Sequence, residues 1–203
     1  MTTVVLLPGL GRGPDDYDAL AVHLRGAGHD VRPWDPVPPL ATPRPGITLH
    51  DIAADVAATL DAPVHLIGHA FGNRVARCLA ADRPDLVLSV TLLAAGGLVP
   101  PDPAAQRSLR TDFGPPNAAA PEQMAAAQNT PIEDWWLGGS APLLVIQGLA
   151  DVVAVPENGR RLLSEVGDRA RLVEIEGATH ALLLTHADAI AQAVLPFLAS
   201  PTT

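Results

Sequence analysis

Three short segments of this chain carry side chains whose types and spacing could do acid–base and acyl chemistry together. Gly68-His69-Ala70-Phe71-Gly72 has the glycine spacing of a strand-to-helix elbow that presents a nucleophile, yet its centre is alanine, and a methyl group attacks nothing. Asp151 follows Gly148-Leu149-Ala150, and His180 follows Gly177-Ala178-Thr179. A carboxylate that holds one ring nitrogen of a histidine fixes its tautomer and leaves the other nitrogen to take a proton. Such a pair is a general base whether or not a nucleophile stands beside it.

The surrounding elements decide whether these residues can meet. Pro63-Val64-His65-Leu66-Ile67 is a short apolar, β-branched run, and Asn73 to Ala80 follows the elbow with helical spacing, so the five residues sit in a strand–turn–helix setting. Asp151 comes just after the strand-like Pro142–Gln147, and His180 just after the strand-like Arg171–Glu176. Strands are expected near 3–8, 29–34, 63–68, 87–94, 142–148 and 170–176, with helices between most of them. That alternation predicts a mostly parallel, six-stranded doubly wound α/β sheet with helices on both faces. Read singly, the segments have blander meanings: a well-packed βα turn, an N-cap or turn aspartate, and a half-buried histidine near the last helix.

The order elbow, acid, histidine matches one of the known triad orders. On these residues the chain resembles the α/β-hydrolase family from Val4 to Leu198. The resemblance implies that Ala70 fills the nucleophile position, Asp151 is the triad acid and His180 the general base. It places the oxyanion hole at the backbone N–H groups of Phe71 and Leu10. Many relatives have histidine where this chain has Pro8, a change that concerns loop support more than the donor. No acid follows Leu88–Leu93, where some members place theirs, which favours Asp151. The resemblance further implies that His69 orients the elbow, that the two front strands usual in the family are missing, and that 98–140 is a short cap. That stretch has prolines at 100, 101, 103, 115, 116, 121 and 131, and Trp135 and Trp136 near its end. The two tryptophans either line a substrate pocket or anchor the cap to the core.

A rival reading takes Gly9-Leu10-Gly11 as a dinucleotide-binding turn with Asp35 as the ribose acid. Position 14 is proline instead of the third glycine, and Asp15 and Asp16 open the following helix where a pyrophosphate needs positive potential. That helix is expected to run through Leu20, Val22 and Leu24. Residues 36–45, rich in proline, read as a surface loop.

Composition excludes other classes. The chain has 203 residues, 48% hydrophobic and 17% charged, which fits one globular domain over 1–203 around a buried parallel sheet. A net charge of −9 argues against nucleic acid and anionic membranes. All 13 basic residues are arginine, so Schiff-base, pyridoxal and phosphate-loop lysines are excluded. No cofactor or metal is expected; the remaining histidines lack metal spacing, with His65 and His186 read as structural. Cys78, the lone cysteine, reads as a small buried hydrophobe. Met1-Thr2-Thr3 runs into Val4 with no leader pattern, and no apolar run reaches membrane-spanning length, so a cytoplasmic location is expected. The expected partner is a small apolar or neutral substrate.

Ala70 leaves three readings open. Serine belongs at 70, and the parent is an esterase, lactonase or thioesterase whose acyl chemistry is disabled here. Alternatively alanine is native and the Asp151–His180 pair works as a general base, as in lyases, cyclases and cofactor-free oxygenases on this fold. Or the chain is a non-catalytic protein that binds a ligand or partner.

Overall fold

The computed structural model describes residues 2–200. The strands are β1 (Thr3–Leu7), β2 (Asp30–Pro33), β3 (Val64–His69), β4 (Val87–Leu93), β5 (Leu143–Gly148) and β6 (Ala170–Ile175). The helices are α1 (Asp18–Gly26), α2 (Val37–Leu40), α3 (Leu49–Ala57), α4 (Phe71–Asp82), α5 (Ala105–Phe113), α6 (Ala120–Asn129), α7 (Glu157–Val166), α8 (Leu182–Thr185) and α9 (Ala187–Leu198). All strand pairs are parallel, in the order β2-β1-β3-β4-β5-β6. The six-stranded doubly wound sheet expected from the sequence is present, with each strand boundary within one residue of its predicted place.

Side-chain alternation divides the core into two layers. Val5, Leu7, Leu66 and Leu92 pack under α3 and α4, while Val4, Leu6, Ile67 and Leu93 pack under α1 and α9. β3 and β5 are buried throughout, which is why their sequences read as continuous apolar runs. β2 and β6 lie at the edges and alternate with exposed residues.

The chain reverses direction across the sheet at β1: it passes outward to β2, then returns to the other side of β1 as β3. A crevice opens at such a switch point, beyond the carboxyl ends of the diverging strands. The loops after β1 and β3 carry Leu10 and Ala70, so topology alone sets the two predicted oxyanion segments side by side. The buried Tyr17 hydroxyl lies between the Leu7 and Ile67 carbonyls, at 2.8 and 3.2 Å, and ties these two strand ends together.

Two expectations need correction. Residues 36–45 are not wholly a surface loop: Val37–Leu40 form a helical turn, and Leu40 is fully buried because it packs on the layer beneath α3. Pro14–Tyr17 form a separate 3-10 turn ahead of α1, and Val22 is 68% exposed, since α1 turns only Leu20, Ala21 and Leu24 inward.

Candidate active site

Ala70 stands at the turn between β3 and α4. Ala70 takes φ 48° and ψ −106°, a conformation that L-residues rarely adopt and that costs roughly 1–3 kcal/mol. It is held there from both sides. A Cβ on Gly72 would stand 2.0 Å from the Leu7 carbonyl oxygen, and one on Gly68 would stand 2.5 Å from the Asn73 nitrogen. Only glycine at both positions lets α4 start directly against the ends of β1 and β3.

Phe71 is the first residue of α4, so its N–H has no intrahelical acceptor. Leu10 lies opposite, in the loop after β1. Neither N–H meets a protein acceptor among the described residues, and both residues line the same cavity as Ala70 and His180. Those two N–H groups are available to an oxyanion.

Asp151 and His180 meet as a buried pair. His180 Nδ1–H donates to Asp151 Oδ2 at 2.8 Å, and Asp151 Oδ1 accepts the N–H groups of Val153 and Ala154, each at 2.8 Å. Three donors therefore stabilise the carboxylate and fix its direction. His180 Nε2 meets no protein partner among the described residues, and the ring borders the cavity. Close approach of the two loops depends on Gly148: a Cβ there would stand 2.3 Å from the Ala178 carbonyl oxygen. Ala150 N–H donates to that same carbonyl, at 2.9 Å.

His69 supports the pair from beneath. Its Nε2 lies 2.9 Å from the His180 carbonyl, which can only accept, so Nε2 carries the proton and Nδ1 is bare. Nδ1 is buried without a partner. Burial first, and the neighbouring His180 second, push the His69 pKa down to about 4, so the ring stays neutral. Its centroid is 5.2 Å from that of His180 and 5.9 Å from that of Phe113.

The stretch 98–140 adds residues to the cavity wall that the sequence did not single out. Phe113 packs edge-on against His180 at 6.0 Å, and Leu109 and Met124 add apolar wall. Arg12 ties cap to sheet: it forms a two-pronged pair with Asp16 and donates to the Phe113 carbonyl at 2.6 Å. The cavity measures about 590 Å³, the size range of a small-molecule site. Trp135 and Trp136 do not line it. They are 4% and 5% exposed and meet edge-to-face beside the fully buried Arg77, whose guanidinium carbon is 4.6 Å from one ring centroid and 5.3 Å from the other. Arg77 also donates to the Trp136 and Gly96 carbonyls at 3.0 and 3.2 Å, so this cluster fastens the cap to α4. Of the two roles open for the tryptophans, the anchor is the one that the structure shows.

The dinucleotide reading finds no support at its loop. The Gly11 N–H is taken by Gln123 Oε1 of the cap at 2.7 Å, and Asp35 accepts the Val37 N–H at 3.0 Å as a local turn residue. Elsewhere, His65 bonds Ser89 at 2.7 Å inside the sheet, and Cys78 is fully buried. Among the described residues no helix is long and apolar enough to cross a membrane.

Comparison with known proteins agrees with the fold. Residues 3–118 match the sequence profile of the alpha/beta hydrolase fold. The chain belongs to the α/β-hydrolase family. Residues 118–203 of this family member match the profile of TAP-like proteins. It is 30% identical, over 253 aligned positions, to the polyketide synthase ThaQ of Burkholderia thailandensis; the match covers 96% of this chain and 12% of that protein. The chain thus spans only a small part of that relative's length. Its fold is similar to that of the enol-lactonase from Burkholderia xenovorans LB400, with TM-score 0.79, 20% identity, and 98% and 92% of the two chains covered. A hydrolase from Oleispira antarctica gives TM-score 0.79, 18% identity, and 99% and 92% coverage.

Proposed function

We propose that the cavity is a hydrolase-type acyl site for a small ester, lactone or thioester, in which Ala70 stands at the nucleophile position and disables covalent acyl transfer. The observation that carries this reading is the Ala70 backbone itself. A conformation costing roughly 1–3 kcal/mol is maintained at a residue that borders the same cavity as Leu10, Phe71 and His180. A methyl gains nothing from that presentation, whereas a hydroxyl would gain a base and an anion hole. Two similar proteins, a polyketide synthase and an enol-lactonase, also favour acyl chemistry. With serine at 70, His180 would take the hydroxyl proton, the Leu10 and Phe71 N–H groups would hold the tetrahedral oxyanion, and Asp151 would stabilise the imidazolium. Loss of such a nucleophile lowers turnover by about a million-fold, roughly 8 kcal/mol, while binding survives. The test is Ala70→Ser assayed against short esters, lactones and thioesters beside the unaltered chain. Turnover that rises at least a thousand-fold with Ala70→Ser supports the reading; two equally inert proteins would overturn it.

One observation favours a second reading, in which the chain is active as it stands. The Asp151–His180 hydrogen bond is formed and buried although no nucleophile requires it. His180 could take a proton from a substrate carbon or from a water beside the Ala70 methyl, with the same two N–H groups holding the enolate or oxyanion. Activity of the unaltered chain that is abolished by His180→Ala is the result this reading expects. Activity that survives His180→Ala excludes it.

A further inference from the structure

The cavity wall has an unusual charge balance. The chain carries 22 acidic residues against 13 arginines, yet among the described residues no aspartate or glutamate borders the cavity, whereas Arg12, Arg74 and Arg110 do. Arg12 is neutralised by Asp16 at 2.6 Å. Arg74 is not neutralised by anything among the described residues. It lies on α4 one turn after Ala70, half-buried, and its guanidinium meets no hydrogen-bond acceptor and no carboxylate there. Its one close partner is the face of Trp135, 5.1 Å from ring centroid to guanidinium carbon. Arg77, a turn further along α4, also lacks a carboxylate; its donors are spent on Asn73, Trp136 and Gly96.

A fully buried guanidinium beside a second, half-buried one, neither with a counter-ion among the described residues, is costly. Burial lowers the Arg74 pKa, and the neighbouring Arg74 contributes, after burial, to the lowering at Arg77. Arg77 compensates through four oxygens, whereas Arg74, which borders the cavity, meets no hydrogen-bond acceptor among the described residues. The planar donor fork of a guanidinium is shaped for two oxygens of one anion. Arg110, an exposed residue of α5, also borders the cavity and pairs with no carboxylate among the described residues. The remaining wall is mostly apolar, with Leu10, Leu109, Phe113 and Met124 beside Gln106, His69 and His180.

We infer that Arg74 is a substrate-binding residue, and that the cavity takes an amphipathic acyl compound whose far end carries an oxyanion, a carboxylate or a phosphate. The sequence led instead to an apolar or neutral substrate; the apolar wall suits the chain of such a compound and the guanidinium its end. This inference rests on the acyl-site reading for the reacting end of the ligand, but not for the anion contact.

Binding to the unaltered chain tests it without turnover. Calorimetric titration with monoethyl suberate, diethyl suberate, octyl phosphate and octanol compares each anion with a neutral partner of similar length. The anionic member of each pair is expected to bind at least tenfold tighter. Arg74→Gln should remove that preference, and Arg74→Lys should keep part of it. The stronger of the two anions identifies the natural end group as carboxylate or phosphate. Equal binding within both pairs, no binding of any of the four, or a preference retained in an Arg74→Gln protein with an unchanged unfolding midpoint would overturn the inference. If the anions bind through Arg74 while Ala70→Ser hydrolyses nothing, the acyl-site reading fails and the anion contact stands.

Discussion

Lowering the pH should destabilise this protein in part through a single histidine beneath the active site. His69 has an ordinary pKa near 6.5 when unfolded and about 4 in the folded chain. Its surroundings explain the direction. Burial and His180 disfavour the imidazolium, while the more distant Asp16 and Asp151 and the bond to the His180 carbonyl only partly compensate. Because the folded pKa is depressed, the unfolded chain binds this proton first. The contribution of His69 to stability is therefore complete above pH 6.5 and drains away as the pH falls toward 4. Between pH 7 and pH 4.5 the loss attributable to His69 comes to roughly 2 kcal/mol, since a pKa difference of one between the folded and unfolded chain is worth about 1.4 kcal/mol. Urea unfolding of the unaltered protein and of His69→Gln at both pH values isolates this share. The variant starts less stable, because the contact with the His180 carbonyl is strained, but it should lose about 2 kcal/mol less on acidification. Equal losses in the two proteins would refute the claim that His69 is held neutral.

Two further outcomes follow from packing around the elbow. Gly72→Ala places a Cβ 2.0 Å from the Leu7 carbonyl oxygen, so it should cost about 3 kcal/mol or leave the chain insoluble; an unchanged urea midpoint would contradict the elbow geometry. Burial raises the Cys78 thiol to about 12 and removes it from solvent, so a disulfide reagent at pH 8 should label it only in denaturant; rapid labelling of the native protein would contradict that placement.

What the sequence revealed divides along physical lines. The six strands were legible because buried parallel strands are runs of Val, Ile and Leu bounded by turn residues, and the site followed from what stands just past their carboxyl ends. Asp151, His180 and the glycines flanking Ala70 are each fixed by one local turn, so a linear reading reaches them. The cap is different. Its helices, Ala105–Phe113 and Ala120–Asn129, are built from alanine, proline and polar residues without a clean apolar stripe, and their positions depend on contacts far away in sequence. Arg12 to Phe113, Gln123 to Gly11, and Arg77 to Trp136 span 101, 112 and 59 residues. No short-range pattern announces such pairings. Phe113 and Arg74 were missed for that reason, and Trp135 and Trp136 could not be assigned between pocket and anchor. In Arg74 the signal was only its place one turn after Ala70, on the face that α4 turns toward the crevice.

The central claim is that this cavity retains a competent acyl site lacking only its nucleophile. Intact-protein mass spectrometry of Ala70→Ser after exposure to a fluorophosphonate tests it most directly. One phosphonyl adduct at position 70 is the expected result, with labelling slowed at least a hundred-fold when His180→Ala is added and absent from the unaltered chain. A folded Ala70→Ser protein that takes up no adduct, or one that labels as fast without His180, would contradict it.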